Sequence, residues 1–374
     1  MISLETEFME KHYFISNRTV TGELGNLQFE DNRKAISRVL YYGYSFIDGN
    51  GKISHEIKGE FSGEPVMNYT EGVTLTGFAE FFREIYSEMR NDQEPGQKND
   101  VLFFMHGYDV DLKRNNEFLT DLSKTYVRNP NSGIKKILML HWPSDTGKIQ
   151  FFGYRREAID AVTTGELLAG FYQYFIRFLD QYGAGFEDSG KLKTKGYLHL
   201  IVQSMGNQVL KRMLEQILQH DRNLVKPVFK EIVLIGADVE DNLLETGLTF
   251  NYLSDLCDRV HVYFRRDDVA LRGSDISRML RWGFSSARPL GLHGPRIRNA
   301  DFLRPNVRCV DVTKIDDGVF KNDLDKKDDH FLHHRYFLYN LVVVEDLVQV
   351  FNGLSSRANP RRKAGSGPND FVLA

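Results

Sequence analysis

The chain has 374 residues, of which 41% are apolar and 26% charged, a composition typical of a globular protein with a sizeable core. A formal net charge of -3 argues against a nucleic-acid partner, because phosphate binding needs a concentrated basic surface. The acidic N-terminus and the lack of a run of roughly 18 apolar residues indicate no secretory or transmembrane segment. With two cysteines at no metal-ligand spacing, we expect a cytoplasmic protein.

The N-terminal part of the chain, residues 1–99, predicts strands and one helix. The strands are predicted at His12–Ile15, Arg38–Phe46 and His55–Phe61, and the helix at Gly77–Met89. A short polar loop, residues 94–100, joins this part to the rest of the chain. Because so short a loop is a poor interdomain linker, we expect antiparallel edge strands of the same sheet rather than a separate lobe.

From residue 100 onward, short apolar runs alternate with longer amphipathic ones, as in a parallel sheet flanked by helices. The predicted strands are Val101–Met105, Ile134–His141, Tyr197–Val202, Glu231–Ile235, Arg259–Phe264 and Val307–Val312. The predicted helices are Asn115–Val127, Ala158–Gln181, Gln208–His220, Leu243–Cys257 and Asn340–Phe351. We assign residues 100–353 to one α/β core, and the small, polar and basic residues 354–374 to a flexible tail.

The segment IVQSMGN, residues 201–207, lies between a predicted strand and a predicted helix. A nucleophilic serine needs exposure at the carboxyl end of a strand, a base, and donors for the oxyanion. Gly206 follows Ser204 by two positions, but Val202 stands where the G-x-S-x-G motif has its first glycine. The segment alone is therefore compatible with a nucleophile and with a serine that caps the helix.

The first parallel strand ends in His106-Gly107-Tyr108. Glycine lets the backbone approach a substrate closely, and the loop after this strand is where serine hydrolases take one oxyanion amide. The two amides would be those of Tyr108 and Met205. The structural alternative is a glycine turn beside a hydrogen-bonded histidine.

Candidates for the acid and the base lie later in the chain, in the order Ser, acid, His. A carboxylate just past a late strand can orient a histidine, and the last helix is preceded by a histidine cluster. The carboxylates are Asp238, Asp267 and Asp268, and the histidines are His330, His333 and His334. A metal site in this cluster is disfavoured because the spacing matches no zinc motif.

Together these segments resemble the α/β-hydrolase superfamily and, within it, a bacterial family of lipase-like or hydrolase-like proteins of uncharacterised function. The resemblance covers roughly residues 100–352. Its motifs are H-G-Y at residues 106–108, W-P-S at 142–144, S-M-G-N at 204–207, D-x-A-L at 268–271 and H-x-Y-F at 334–337. A further segment, R-P-L-G followed by G-P within residues 288–295, is similar to a loop of that family with one residue inserted.

The resemblance implies an α/β-hydrolase fold with Ser204 as nucleophile, Asp268 as acid and His334 as base. It favours Asp268 over the other carboxylates and His334 over the other histidines. A residue other than glycine at the position of Val202 is common in the family. Gln203 replaces the usual histidine, and the candidate pocket residues are His106, Gly107, Trp142 and Gln203.

The implied activity is cleavage of an ester or related acyl bond in a small-molecule substrate, through an acyl-enzyme and without metal or cofactor. Two alternatives use the same fold. One is an inactive scaffold that binds a partner or small molecule, and the other is an acyltransferase with the same triad.

Overall fold

A computed structural model of the chain describes residues 9–23, 25–30, 36–61, 77–90, 98–144, 150–181, 196–272, 288–296, 303–315, 334–367 and 369–373. Its centre is an 11-stranded sheet in the order β12-β13-β11-β10-β9-β8-β6-β7-β1-β4-β5, with β2 and β3 as a separate ribbon. The strands are β1 Glu10–Arg18, β2 Val20–Thr21, β3 Gln28–Phe29, β4 Ile36–Ile47, β5 Ile53–Glu60, β6 Asp100–Met105, β7 Ile134–His141, β8 Leu198–Gln203, β9 Phe229–Ile235, β10 Cys257–Phe264, β11 Val307–Asp311, β12 Arg362–Ala364 and β13 Asp370–Leu373.

The middle of the sheet is parallel, from β7 through β6, β8, β9 and β10 to β11. Its strands are mostly apolar because helices cover both faces, and every residue of β6 and β8 is buried. All six predicted parallel strands are present, each within two residues of the predicted bounds. The α/β architecture predicted from the alternating pattern is therefore confirmed.

The N-terminal strands extend this sheet at one edge. β1 pairs in parallel with β7, and β4 and β5 then add in antiparallel fashion. β1, β4 and β5 thus belong to the same sheet as the core, which confirms the expected antiparallel edge strands.

The helices of the described residues lie on both faces of the sheet. They are α1 Phe78–Arg90, α2 Leu112–Leu122, α3 Gln150–Gln181, α4 Gly206–His220, α5 Leu290–His293, α6 Tyr336–Tyr339 and α7 Leu341–Phe351. One apolar cluster joins the sheet to α1, α3 and α4, and a second joins its other face to α2 and α7. None of the described helices is both long enough and apolar enough to cross a membrane.

The helix predicted at Leu243–Cys257 is wrong. The structure has turns followed by a 3-10 helix at Thr249–Asp255, and β10 begins at Cys257. Gly247 has φ +85, a left-handed conformation that an α-helix does not contain. The apolar spacing there comes from residues that pack under the sheet edge without forming a continuous α-helix.

The C-terminal residues differ from the flexible tail that their composition predicts. β13 pairs in parallel with β11, and β12 pairs with β13. Arg362 is buried against Asp346 of α7, with Nε 2.7 Å from Oδ1. Composition indicated disorder because it contains no information about contacts between distant segments. Here Asp370–Leu373 pairs with β11, and Arg362 forms an ion pair with the buried Asp346.

α3, with 32 residues, is much longer than the strands of the sheet. Thr164 accepts a hydrogen bond from Asn17 Nδ2 at the carboxyl edge, whereas Asp180 pairs with Lys226 near the opposite edge. Residues 150–163 add about 21 Å of helix before Thr164, at 1.5 Å per residue, and Ala161 among them is buried in the core. Four aromatic residues of the other half lie in the core: Phe171, Tyr172, Phe175 and Phe178.

Candidate active site

Ser204 occupies the turn between β8 and α4 in a left-handed backbone conformation, with φ +54. Its N–H donates to Ile235 O at 2.9 Å, and its carbonyl accepts from Asp238 N–H and from Asn207 Nδ2. Such a conformation costs a serine of the order of 1–3 kcal/mol, and these three hydrogen bonds hold it in place. A strained serine at the end of a parallel strand is the geometry of a nucleophile elbow.

The helix-capping alternative for Ser204 is not what the structure contains. Met205 occupies the N-cap position of α4, which has no side-chain cap. In the described part of the chain, the Ser204 hydroxyl accepts and donates no hydrogen bond. The hydroxyl is therefore committed to no structural role there.

Two glycines allow the chain to pass close to Ser204. A Cβ on Gly107 would lie 2.5 Å from Ser204 Cβ, and a Cβ on Gly206 would lie 2.6 Å from His106 O. Both distances are too short for a side chain, so both positions require glycine. Val202, the missing glycine of the motif, is a buried residue of β8 between Met105 and Leu234, where its side chain is accommodated.

His334 and Asp268 form a buried pair. His334 Nδ1 is 2.6 Å from Asp268 Oδ2, and Asp268 Oδ1 accepts from the N–H of Leu271. A carboxylate at Nδ1 fixes the imidazole tautomer and leaves Nε2 to accept a proton. The pair joins the loop after β10 to the segment before α6, as the chain order of a triad requires.

The imidazole of His334 lies over Gly236, the first residue after β9. A Cβ on Gly236 would be 3.0 Å from His334 Cε1, and Gly236 has φ +49. Ile235, directly before it, accepts the hydrogen bond from the Ser204 N–H. Gly236 thus lets the histidine approach the strand end that neighbours the serine turn.

The rival acids have other neighbours in the structure. Asp267 pairs with Arg265 at 2.7 Å. Asp238 supports the serine turn through its backbone, since its N–H donates to Ser204 O and its carbonyl accepts from Gln208 Nε2 at 3.1 Å.

The rival histidines, His330 and His333, lie outside the described residues. Within those residues, no three His, Cys, Asp or Glu side chains gather as metal ligands would.

The loop after β6 is held from two sides at Gly107. Its N–H donates to Gln203 Oε1 at 3.1 Å, and its carbonyl accepts from Ser144 Oγ at 2.9 Å. In a trans peptide the carbonyl and the following N–H point in opposite directions. Ser144 therefore turns the Tyr108 N–H away from itself. Met205, whose amide is the second predicted donor, follows Ser204 directly at the start of α4.

His106 and Trp142, predicted as pocket candidates, are both fully buried and support the loop from beneath. Their rings stack with centroids 5.4 Å apart, and Trp142 Nε1 donates to His106 O at 2.9 Å. Burial, together with the charge of Arg18, lowers the pKa of His106 to about 3. The ring is therefore neutral and serves packing, while Gly107 and Gln203 are the predicted residues that adjoin Ser204.

Comparison with known families now bears on this arrangement of serine, histidine and carboxylate. A family model described as "Alpha/beta hydrolase of unknown function (DUF900)" matches residues 83–350. The chain belongs to this family. No curated protein and no solved structure matches it. Membership confirms the resemblance to the α/β hydrolases and leaves the reaction to be argued from the site itself.

Sequence reasoning about this member of the α/β-hydrolase family missed how the loop after β6 is supported. Arg18, on β1, donates through Nη2 to Val110 O at 2.6 Å and to Trp142 O at 3.0 Å. Ser144 belongs to the W-P-S motif, so the sequence singled out its position, but the sequence did not predict its hydrogen bond to Gly107. For Arg18 the sequence carries no signal, because the contact joins residues 92 or more positions apart.

Proposed function

We propose that this protein is a serine hydrolase that cleaves an ester or related acyl bond of a small molecule. Ser204 would be the nucleophile, His334 the general base and Asp268 the residue that orients the base. The amides of Tyr108 and Met205 would bind the oxyanion. The observation that carries this proposal is the buried contact between His334 Nδ1 and Asp268 Oδ2, 2.6 Å long, beside a serine held at φ +54.

In the proposed reaction, Ser204 Oγ attacks the carbonyl carbon while His334 Nε2 takes the hydroxyl proton. Asp268 stabilises the resulting imidazolium, and the two amides stabilise the negative oxygen of the tetrahedral intermediate. The imidazolium returns its proton to the leaving group as the C–O bond breaks. Water, deprotonated by the same imidazole, then attacks the acyl-enzyme and releases the acid and free Ser204.

The Ser204 hydroxyl has no hydrogen bond to any of the described residues, which supports this role. Nucleophile and base frequently form their hydrogen bond only when substrate is bound. The Ser204 N–H donates to Ile235 O, and the next residue, Gly236, packs against the imidazole of His334. The base therefore lies at the end of the strand that neighbours the serine turn. A scaffold without activity has no need for a strained serine, a buried His-Asp pair and a glycine packed against the serine.

A fluorophosphonate probe tests the proposal, because it labels only an activated serine. We expect covalent labelling of the wild-type protein, none of Ser204→Ala, and normal labelling of Ser132→Ala, a buried serine in the turn before β7. His334→Ala should remove labelling, whereas His330→Ala and His333→Ala should keep it. A folded wild-type protein that is never labelled would refute the proposed nucleophile.

The acid is tested separately by hydrolysis of p-nitrophenyl esters. Asp268→Asn should lower kcat by about 10⁴-fold, the cost of presenting the wrong tautomer. Asp238→Asn is the matched control, since Asp238 supports the serine turn through its backbone. Equal losses in the two variants would show that the carboxylates were assigned incorrectly.

A further inference from the structure

The segment formed by residues 288–296 has no part in the proposed triad, yet it is fixed beside it. Gly291 donates to Ala237 O at 2.8 Å and accepts from the Arg265 N–H at 2.9 Å. A side chain at Gly291 would collide with the backbone of Gly236 and Ala237. The segment is thus clamped between the loop that lies under His334 and the loop that carries Asp268.

A cavity of about 680 Å³ opens where this segment meets the loops after β9 and β10. Its volume lies in the range of small-molecule sites, roughly 300–1,000 Å³. The polar groups that line it come from Asp241, Arg266, Arg288, His293, Arg296 and Ser366. Three arginines and one aspartate are therefore among the lining residues, which carry an excess of positive charge.

The three arginines differ in whether a carboxylate forms an ion pair with them. Arg296 Nη2 lies 2.9 Å from Asp241 Oδ1, and Arg266 Nε lies 3.3 Å from Asp311 Oδ2. The guanidinium of Arg288 has no ion pair or hydrogen bond in the part of the chain that the structure describes. Its backbone is nevertheless fixed, because its carbonyl accepts the Asp241 N–H at 2.8 Å.

We propose that this cavity binds an anionic group, carboxylate or phosphate, with Arg288 as its principal ligand and Arg266 beside it. Planar guanidinium groups bind both anions through paired hydrogen bonds. Because the cavity adjoins the loop of Asp268, we assign the anion to the acyl substrate, at an end remote from the scissile bond. This assignment rests on the proposed function, whereas binding of the anion does not.

Binding is tested with inorganic phosphate on Arg288→Gln and on Arg357→Gln, an exposed arginine outside the cavity. At constant ionic strength, phosphate should raise the thermal unfolding midpoint of the wild type and of Arg357→Gln, and should leave that of Arg288→Gln unchanged. Arg288→Gln should fold normally because it breaks no ion pair among the described residues. Equal phosphate effects in all three proteins, or none in any, would overturn the anion site.

The source of the anion is tested with matched esters. We expect kcat/KM for mono-p-nitrophenyl suberate, relative to p-nitrophenyl octanoate, to fall at least tenfold in Arg288→Gln and to stay constant in Arg357→Gln. Phosphate binding that depends on Arg288, with no change in this ratio, would assign the cavity to a free anion and overturn the substrate assignment. If no ester is hydrolysed and Ser204 is not labelled, the proposed function fails while the phosphate result still decides the anion site.

Discussion

Gly107 lies so close to Ser204 that a Cβ on Gly107 would be 2.5 Å from Ser204 Cβ and 3.1 Å from its Oγ. The contact joins the loop after β6 to the turn after β8, two segments 97 positions apart in the sequence. It places the backbone of the H-G-Y motif directly against the proposed nucleophile. The position of the Tyr108 amide therefore depends on the absence of a side chain at residue 107.

Gly107→Ala should consequently impair both the site and the fold. We expect kcat/KM for a p-nitrophenyl ester to fall by about 100-fold, since a displacement near 1 Å has that effect on catalysis. The free energy of unfolding should fall by about 1–3 kcal/mol from overpacking. Gly49→Ala is the control, because a Cβ there meets no atom within 4 Å. An active Gly107→Ala enzyme would mean that the loop is not held as described.

Gln203 is the residue in which this chain departs from the motif that it otherwise resembles, and the structure gives it a role. Its Oε1 accepts the Gly107 N–H. Gln203→Met keeps the length of the side chain but leaves that buried N–H without an acceptor, at a cost of about 1–3 kcal/mol. We expect kcat to fall about tenfold with little change in KM, because the proposed function has the Tyr108 amide bind the oxyanion of the transition state.

The control for that experiment is Gln219→Met, at an exposed position near the end of α4. Steady-state kinetics of both variants separates a positioning role from a binding role. An increase in KM with unchanged kcat in Gln203→Met would indicate that Gln203 contacts the substrate instead of positioning the loop.

The parallel strands could be predicted from the sequence because short runs that are mostly apolar or alternating, bounded by turns, are typical of buried strands. The chain order of Ser204, Asp268 and His334 was also visible. Order alone did not choose Asp268 among three carboxylates, and that choice came from the resemblance. In the structure the loop after β10 directs Asp268 toward His334.

What the sequence could not predict depends on contacts between distant segments. Arg18, on β1, supports the loop after β6, and Gly236, at the end of β9, makes room for His334. Neither residue stands out by its neighbours in the sequence. Composition also failed for the last twenty residues, because burial of Arg362 and pairing of β13 outweigh their polar character.

His106 should make the protein less stable in acid. The pKa of its ring is lowered by burial from 6.5 to about 3, so below pH 6.5 the unfolded chain takes up a proton that the folded chain does not. Stability is therefore lost as the pH falls from about 6.5 toward 3. Between pH 7 and pH 5 this one ring accounts for about 2 kcal/mol of the loss.

His106→Phe should reduce the difference in unfolding free energy between pH 7 and pH 5 by about 2 kcal/mol, measured by urea denaturation. Phenylalanine keeps a ring against Trp142 but cannot titrate. Trp142→Phe disturbs the same stack and keeps His106, so it should retain the pH dependence of the wild type. An unchanged difference in His106→Phe would show that His106 is not buried in its neutral form.

The C-terminal segment should contribute to stability through one arginine and not through its neighbour. Arg362 is fully buried against Asp346 and also donates to the Tyr263 hydroxyl at 2.7 Å. Arg361 lies at the surface, where its side chain is 44% exposed and pairs with Glu345. Removing one partner of a buried ion pair leaves an uncompensated charge, whereas an exposed pair is largely screened by water.

We therefore expect Arg362→Ala to lower the free energy of unfolding by about 3–5 kcal/mol, and Arg361→Ala to lower it by less than about 1 kcal/mol. Urea denaturation at neutral pH measures both values. Because the two residues are adjacent, the comparison removes any general effect of truncating a side chain in this segment. Equal and small effects would mean that the tail is not docked, as its composition alone had predicted. A large effect confined to Arg362 would establish that residues 362–373 are part of the folded sheet.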